Sequence, residues 1–286
     1  VTYTLVEPCA GSAALTLHLL GAKRSIVPYQ GNKWRFRQAL AECAAELGFV
    51  GPPSRVVLTD PGPWGRALPV ILDRSRLPGL IERLEGMASR DPAGVYRELK
   101  GAPVPADDVA FAAEFLFAQQ LAFRGRAVGV RGGVWRMIGF DSHNARFGVV
   151  KGMVRRLRDL KPSAADLVIN QEPAAHPAGR VRDLLVYLDP PYAGSAGYPN
   201  GGMDRREVER LAVAWRMTGA AVIVSEKSAL DLPGWRRSRL QQAGAAGGSP
   251  VKSKDEEWIT FAPGEGSRRD ARRPSPRQLE LFAAYG

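Results

Sequence analysis

Five apolar residues in a row, Leu184-Leu185-Val186-Tyr187-Leu188, run straight into Asp189-Pro190-Pro191-Tyr192. A short, continuously apolar run with such an end reads as a buried parallel strand. That reading commits the chain to an α/β sheet and puts Asp189 at its carboxyl edge, where open α/β sheets bind ligands. The two prolines lack N–H donors and fix φ, so the turn is stiff and its carbonyls remain open to accept hydrogen bonds. An acid, a carbonyl and a ring together suit the grip of a planar amino group on a base. The plainer reading is that Pro-Pro ends a strand and the tyrosine is core.

The remaining segments support an alternating pattern. Thr2 to Glu7 reads as a first strand, Pro8-Cys9-Ala10-Gly11-Ser12 as a tight turn, and Ala13 to Leu20 as a short helix. A strand, a small-residue turn and a helix form a nucleotide-binding opening. The spacing predicts a helix over Lys33–Leu47 with Phe36, Leu40, Cys43, Ala44 and Leu47 on one face. Val56 to Asp60 reads as a strand ending in an acid, and Leu77 to Leu121 as a mostly helical insertion. Arg126 to Ile138 carries a hairpin signature around Gly132-Gly133. Leu167–Asn170 and Ala220–Ser225 are further strands, and Trp235–Leu240 can pair with Glu257–Phe261 as a terminal antiparallel hairpin. The expected architecture is a doubly wound sheet with that hairpin at one edge. Residues 1–74 and 149–262 would form the sheet domain, 75–148 an insertion, and 263–286 a disordered tail.

Composition narrows the partners. The chain has 286 residues and 45% hydrophobic content, enough for a sizeable core. Lysine and arginine outnumber acids by 40 to 29, a surplus that favours polyanions, although an arginine-rich proteome would give the same balance. Cys9 and Cys43 form no zinc spacing or disulfide framework, and His18, His143 and His176 are scattered, so no metal site is expected. No apolar run reaches the roughly 18–20 residues of a membrane span. Glu7 interrupts the opening residues, which argues against a secretory leader. The expected location is the reducing cytosol.

Four segments resemble a Dam-like adenine-N6 DNA methyltransferase of the bacterial and phage type. Glu7-Pro8-Cys9-Ala10-Gly11-Ser12-Ala13 is similar to the family's glycine motif, Pro28-Tyr29-Gln30-Gly31-Asn32-Lys33 to its aromatic cofactor motif, Asp60 to its ribose-binding acid, and Asp189-Pro190-Pro191-Tyr192, with Tyr198 beyond it, to its catalytic motif. The resemblance implies a Rossmann-like methyltransferase sheet that uses S-adenosylmethionine. It assigns Asp189, Pro190, Pro191 and Tyr192 to catalysis. It assigns Glu7, Pro8, Cys9, Gly11, Ser12, Tyr29, Lys33, Asp60, Gln171 and Asp189 to the cofactor. A glycine lets the backbone approach a ligand, a carboxylate accepts from ribose hydroxyls, an ammonium pairs with a carboxylate, and a ring face attracts a sulfonium. In plainer readings Asp60 starts a turn before Pro61-Gly62-Pro63 and Lys33 is a solvated first-turn residue.

The chain departs from the family at named positions. Cys9 stands where an aromatic is usual, and Ala13 where a second glycine is usual. The Tyr29–Lys33 segment follows the first strand instead of preceding it. The acid expected before the catalytic motif is replaced by Asn170-Gln171-Glu172, so Gln171 or Glu172 would serve.

The family's target-recognition region falls between the cofactor and catalytic motifs, which points to Arg124, Arg126, Arg131, Trp135 and Arg136 as DNA contacts, with Lys252 and Lys254 as further phosphate contacts. The target adenine would be flipped from the duplex and stacked on Tyr192. Gln278-Leu279-Glu280-Leu281-Phe282 resembles the bacterial sliding-clamp peptide, with Gln278, Leu279, Leu281 and Phe282 as its contacts. A last helical turn folding back on the core is the plainer reading. The expected state is a monomer or weak dimer acting on double-stranded DNA, in restriction–modification or phage biology. The rival readings are a methyltransferase of cytosine N4, RNA adenine or protein glutamine, and a catalytically degenerate DNA-binding relative.

Overall fold

The buried run at Leu184–Leu188 does become an interior strand of a sheet. A computed structural model of the protein describes residues 2–28, 33–142, 145, 148–160, 166–170, 183–191, 203–240 and 257–265. In chain order the elements are β1 (Thr4–Glu7), α1 (Ala14–Leu19), α2 (Arg37–Glu46), β2 (Arg55–Thr59), α3 (Pro63–Ile71), α4 (Leu77–Ala88), α5 (Pro92–Leu99) and α6 (Asp108–Leu121). They continue with β3 (Gly129–Arg131), β4 (Val134–Arg136), α7 (Val149–Arg158), β5 (Asp166–Asn170), β6 (Leu184–Leu188), α8 (Arg205–Met217), β7 (Ala221–Glu226), β8 (Arg236–Arg239) and β9 (Trp258–Ala262). The predicted helix over Lys33–Leu47 is divided into a 3-10 turn at Lys33–Phe36 followed by α2. Its predicted apolar face is buried as a set.

Seven strands form one sheet in the order β5-β2-β1-β6-β7-β9-β8. β5, β2, β1, β6 and β7 are parallel, and β9 pairs antiparallel with both β7 and β8. The terminal hairpin therefore exists, but its antiparallel strand lies one place in from the edge. From β1 the chain winds outward to β2 and β5, then returns to the other side of β1 for β6 and β7. The winding reverses between β1 and β6, and such a reversal opens a crevice at the carboxyl ends of the two strands.

Alternation along each strand sorts side chains onto two faces. Leu5, Leu185, Tyr187 and Ile223 join one core, while Val6, Val186, Leu188, Val222 and Val224 join the other. Val208, Ala212 and Trp215 of α8 cover the second face. That helix starts at a capping box in which Asp204 accepts from the Glu207 amide (2.8 Å) and Glu207 accepts from the Asp204 amide (2.9 Å).

The helical insertion continues the first core instead of standing apart. Phe111, Phe115, Trp135 and Met153 belong to the same contiguous cluster as Leu5 and Val56. Trp64 meets Phe115 edge-on at 4.9 Å, and Trp135 lies 4.9 Å from Phe111. Asp108 ties α6 to Arg66 of α3 (2.7 Å) and to Arg76 just before α4 (2.8 Å). The predicted Gly-Gly hairpin forms between β3 and β4, with φ of 61° at Gly132 and 72° at Gly133. Two successive positive φ angles suit the tight turn that matches strand twist. No helix among the described residues is long and apolar enough to cross a membrane.

The hairpin corrects one expectation. Its place among arginines makes Trp135 a candidate DNA contact, yet only 1% of it is exposed and its indole N–H donates to Glu114 Oε2 at 2.7 Å. β-Alternation fits the reversal: Trp135 faces inward between half-buried Val134 and exposed Arg136. Trp135→Ala should therefore lower stability by about 3–5 kcal/mol in chemical denaturation, as loss of a fully packed indole does. An unchanged melt would return the residue to the surface.

Candidate active site

Parallel strands run the same way, so the residues at their carboxyl ends collect at one edge. Here β1 ends in Glu7, β2 is followed by Asp60, β6 by Asp189, and β7 ends in Glu226. β9 runs the opposite way, so Glu257, just before it, arrives at the same edge. Five carboxylates thus approach the mouth of the crevice between β1 and β6.

Lys33 offsets part of that charge. Its ammonium lies 3.1 Å from Asp189 Oδ1 and 3.0 Å from Glu257 Oε1, with only 6% of the side chain exposed. Burial pulls the lysine pKa down, but the two carboxylates outweigh it, and the group stands above the ordinary lysine value. Glu226 feels the surplus of acids. Burial, reinforced by Asp189 and Glu257, pushes its pKa up to about 7. The sequence motifs point to Lys33 and Asp189 but not to Glu257 or Glu226. Each of the latter stands at a strand terminus, a signal that becomes visible only once strand direction is known.

The turn after β1 is built around Asp60. Gly11 N–H donates to Asp60 Oδ2 at 3.0 Å, Gly62 N–H donates to Oδ1 at 2.7 Å, and Ala10 N–H donates to the Thr59 carbonyl at 2.9 Å. Burial raises the Asp60 pKa, while amide donors from Gly62, Gly11 and Gly65 lower it in part. A Cβ on Gly62 would lie 3.0 Å from Asp60 Oδ1, so a side chain there would crowd the carboxylate. Gly11 takes φ 47°, and Ala13 takes φ 49° where the resembled motif has glycine. For Ala13 this left-handed conformation is unfavourable by about 1–2 kcal/mol. Cys9 is a neutral thiol, pushed up to about 12 by burial and then by Asp189 and Asp60.

Glu7 faces the helix that follows its own turn. Glu7 Oε1 accepts from the Thr16 amide at 2.8 Å and from the Thr16 hydroxyl at 2.5 Å, which fixes the start of α1. Burial lifts its pKa to about 7, against the two Thr16 bonds. The Pro191 carbonyl accepts from Met203 N–H at 3.0 Å, whereas no donor among the described residues reaches the Pro190 carbonyl.

Glu7, Pro8, Cys9, Gly11, Ser12, Lys33, Asp60, Asp189, Pro190 and Pro191 thus converge on the strand ends around one crevice. Arg126, Arg131 and Arg136 are exposed on and before the β3–β4 hairpin. Three large apolar side chains are exposed among them: Phe123 (40%), Val130 (36%) and Ile138 (56%). Buried Gln119 links this segment to the site. Its amide donates to the carbonyls of Pro28 (3.1 Å), Gly125 (3.2 Å) and Arg126 (3.1 Å), and its oxygen accepts from Val128 N–H (3.0 Å). Tyr29, Gln171, Glu172, Tyr192, Tyr198, Lys252, Lys254, Gln278, Leu279, Leu281, Phe282 and the Arg124 side chain lie outside the described residues. Among the described residues, no group of three His, Cys, Asp or Glu could hold a metal ion. Neither a protein-family model nor a curated protein matches the chain.

Two measurements test these electrostatics. Lys33→Met leaves Asp189 and Glu257 without their cation, so urea melts at neutral pH should show a loss of about 3–5 kcal/mol. Adding Glu257→Gln should recover part of it, and strictly additive losses would mean that the groups are uncoupled. Glu7 keeps its proton to about pH 7 when folded, against an ordinary value of 4.5. The folded state then binds more protons between those values, so this contribution is present below pH 4.5 and is lost as pH rises through 7. Relative to Glu7→Gln, the wild type should lose up to about 3 kcal/mol between acid and pH 8, followed by denaturation across pH. A pH-independent difference would show that Glu7 titrates normally.

Proposed function

We propose that the protein transfers a methyl group from S-adenosylmethionine to the exocyclic N6 amine of an adenine in duplex DNA. The observation that carries this reading is the meeting of two turns at the reversal between β1 and β6. The Gly11 turn, fastened to Asp60, stands on one side, and Asp189-Pro190-Pro191 on the other. The donor set fits the cofactor. An edge rich in carboxylates suits a ligand that carries a sulfonium, an ammonium and a ribose diol. Lys33, shared by Asp189 and Glu257, holds the edge's acids in place instead of meeting the ligand directly. Gly11 permits close approach of the backbone.

The cofactor supplies an electrophilic methyl carbon on a positively charged sulfur. The protein's part is to make a poor nucleophile better. An adenine amine delocalises its lone pair into the ring. Asp189 and the Pro190 carbonyl would accept its two N–H bonds and draw the nitrogen toward tetrahedral geometry, with its lone pair aimed at the methyl carbon. Gly11 and the carboxylate-rich edge would hold the cofactor, which would supply the methyl group for the new N–C bond and keep the electron pair of the broken S–C bond on sulfur. The surplus amine proton leaves through Asp189. Lys33 holds Asp189 Oδ1 on one side, which orients the carboxylate before the base arrives. Positioning and fixed charge provide the rate enhancement, without a covalent enzyme intermediate.

The adenine would have to leave the base stack to reach this edge. Arg126, Arg131 and Arg136, with exposed Phe123, Val130 and Ile138 in the same segment, would supply guanidinium groups for phosphates or guanine and apolar side chains for bases. Gln278-Leu279-Glu280-Leu281-Phe282 is proposed as a peptide for the bacterial sliding clamp on its sequence alone.

Transfer of labelled methyl from S-adenosylmethionine to mixed-sequence duplex DNA, with the nucleosides resolved by mass, tests the reading. N6-methyladenine should appear, and Asp189→Ala should reduce it by roughly 100- to 1,000-fold or more. Label on cytosine N4 would keep the chemistry and change the base. Label confined to RNA or protein would overturn the DNA assignment.

A further inference from the structure

Helix α7 buries Val150, Met153, Val154 and Leu157 and turns Lys151, Arg155 and Arg158 outward. Like charges at a spacing of four residues repel, so an exposed helix that keeps Lys151 and Arg155 usually sets acids beside them. Glu85 answers Arg158, at the far end of the helix, where Asp159 also lies. Among the described residues, neither Lys151 nor Arg155 makes an ion pair or a side-chain hydrogen bond.

Arg156 adds a charge held in place by neutral groups. Its guanidinium donates to the Ile26 carbonyl from two nitrogens (3.0 and 2.7 Å) and to Gln120 Oε1 (3.0 Å). These bonds fasten the exposed Lys23-Arg24 segment against α7. Burial, and then Arg24 and Arg155, hold the Arg156 pKa below the ordinary arginine value, and no carboxylate counters them. The fold therefore gathers Arg24, Lys151, Arg155 and Arg156 on one surface and fixes the central one with three hydrogen bonds. Such self-repulsion disfavours the folded state unless a polyanion relieves it.

The surface is joined to the hairpin side of the crevice. Gln120, which receives Arg156, follows Gln119, which holds the carbonyls of Pro28 and Arg126. We propose that the α7 face is a second nucleic-acid surface, binding the phosphates of duplex DNA beyond the segment read by the hairpin. This inference rests on the DNA reading above. Phosphate is favoured because all the unanswered groups are cations, with no aromatic or apolar side chain exposed on α7 to stack on bases or enter a membrane.

The test compares wild-type protein with Arg24→Ala/Lys151→Ala/Arg155→Ala. A control, Arg90→Ala/Arg97→Ala/Lys100→Ala, removes the same charge from the exposed surface around α5. Binding to a fluorescent 40-base-pair mixed-sequence duplex is followed by anisotropy at several salt concentrations, with unfolding curves checked for each protein. The α7 variant should bind roughly tenfold more weakly. Its slope of log affinity against log salt should be smaller by about 2–3, at about 0.9 for each phosphate it no longer neutralises. The control should keep the wild-type slope. Equal slopes for all three proteins would overturn the α7 surface and leave the DNA reading standing, as would equal losses in variant and control. A wild type that binds no duplex DNA would overturn the DNA reading itself. A variant that loses binding to anionic vesicles or RNA but not to DNA would assign the surface to another polyanion and overturn the proposal.

Discussion

At the carboxyl edge of the sheet, a buried ammonium sits between two carboxylates, and the charge balance of the whole edge turns on it. Lys33 lies within about 3 Å of both Asp189 and Glu257. Removal of the cation would leave acids from β1, β2, β6, β7 and β9 facing one another in a partly desolvated crevice. Burial first, and then Asp189 and Glu257, raise the Glu226 pKa, while Lys33 lowers it. An edge of this kind attracts positive charge.

The second constraint is mechanical. The helical segment between α3 and α7 does not hang from the sheet as an appendage; its aromatics Phe111, Phe115 and Trp135 pack in the same core as Leu5 and Val56. Neighbouring residues on α6 then do different work. Gln119 holds the Pro28 and Arg126 carbonyls, and Gln120 receives Arg156. The segment that delivers Lys33 and the segment that presents the exposed arginines are therefore fastened to one helix.

Much of this architecture is legible in the sequence. The continuously apolar Leu184–Leu188 run suits an interior strand, and Gly132-Gly133 marks a tight hairpin that forms as expected. Helix α8 carries readable signals as well, the Asp204–Glu207 capping pair and apolar positions at Val208, Leu211, Ala212 and Trp215. Trp135 shows the limit of sequence position as a guide. It lies among arginines, but side-chain direction in a strand alternates, and a large indole gains far more from the Phe111–Phe115 core than from water.

Apolar runs, prolines and glycines act locally on backbone conformation, so the α/β class, the acid at the end of β6 and the small-residue turn after β1 are legible from residues close together in the chain. Tertiary structure alone decided that Glu226 and Glu257 share an edge with Asp189, that Lys33 lies between Asp189 and Glu257, and that Arg24 meets α7. Those residues are far apart in the chain. Their meeting depends on strand order and direction, which are set by how the whole sheet and its covering helices bury apolar surface together.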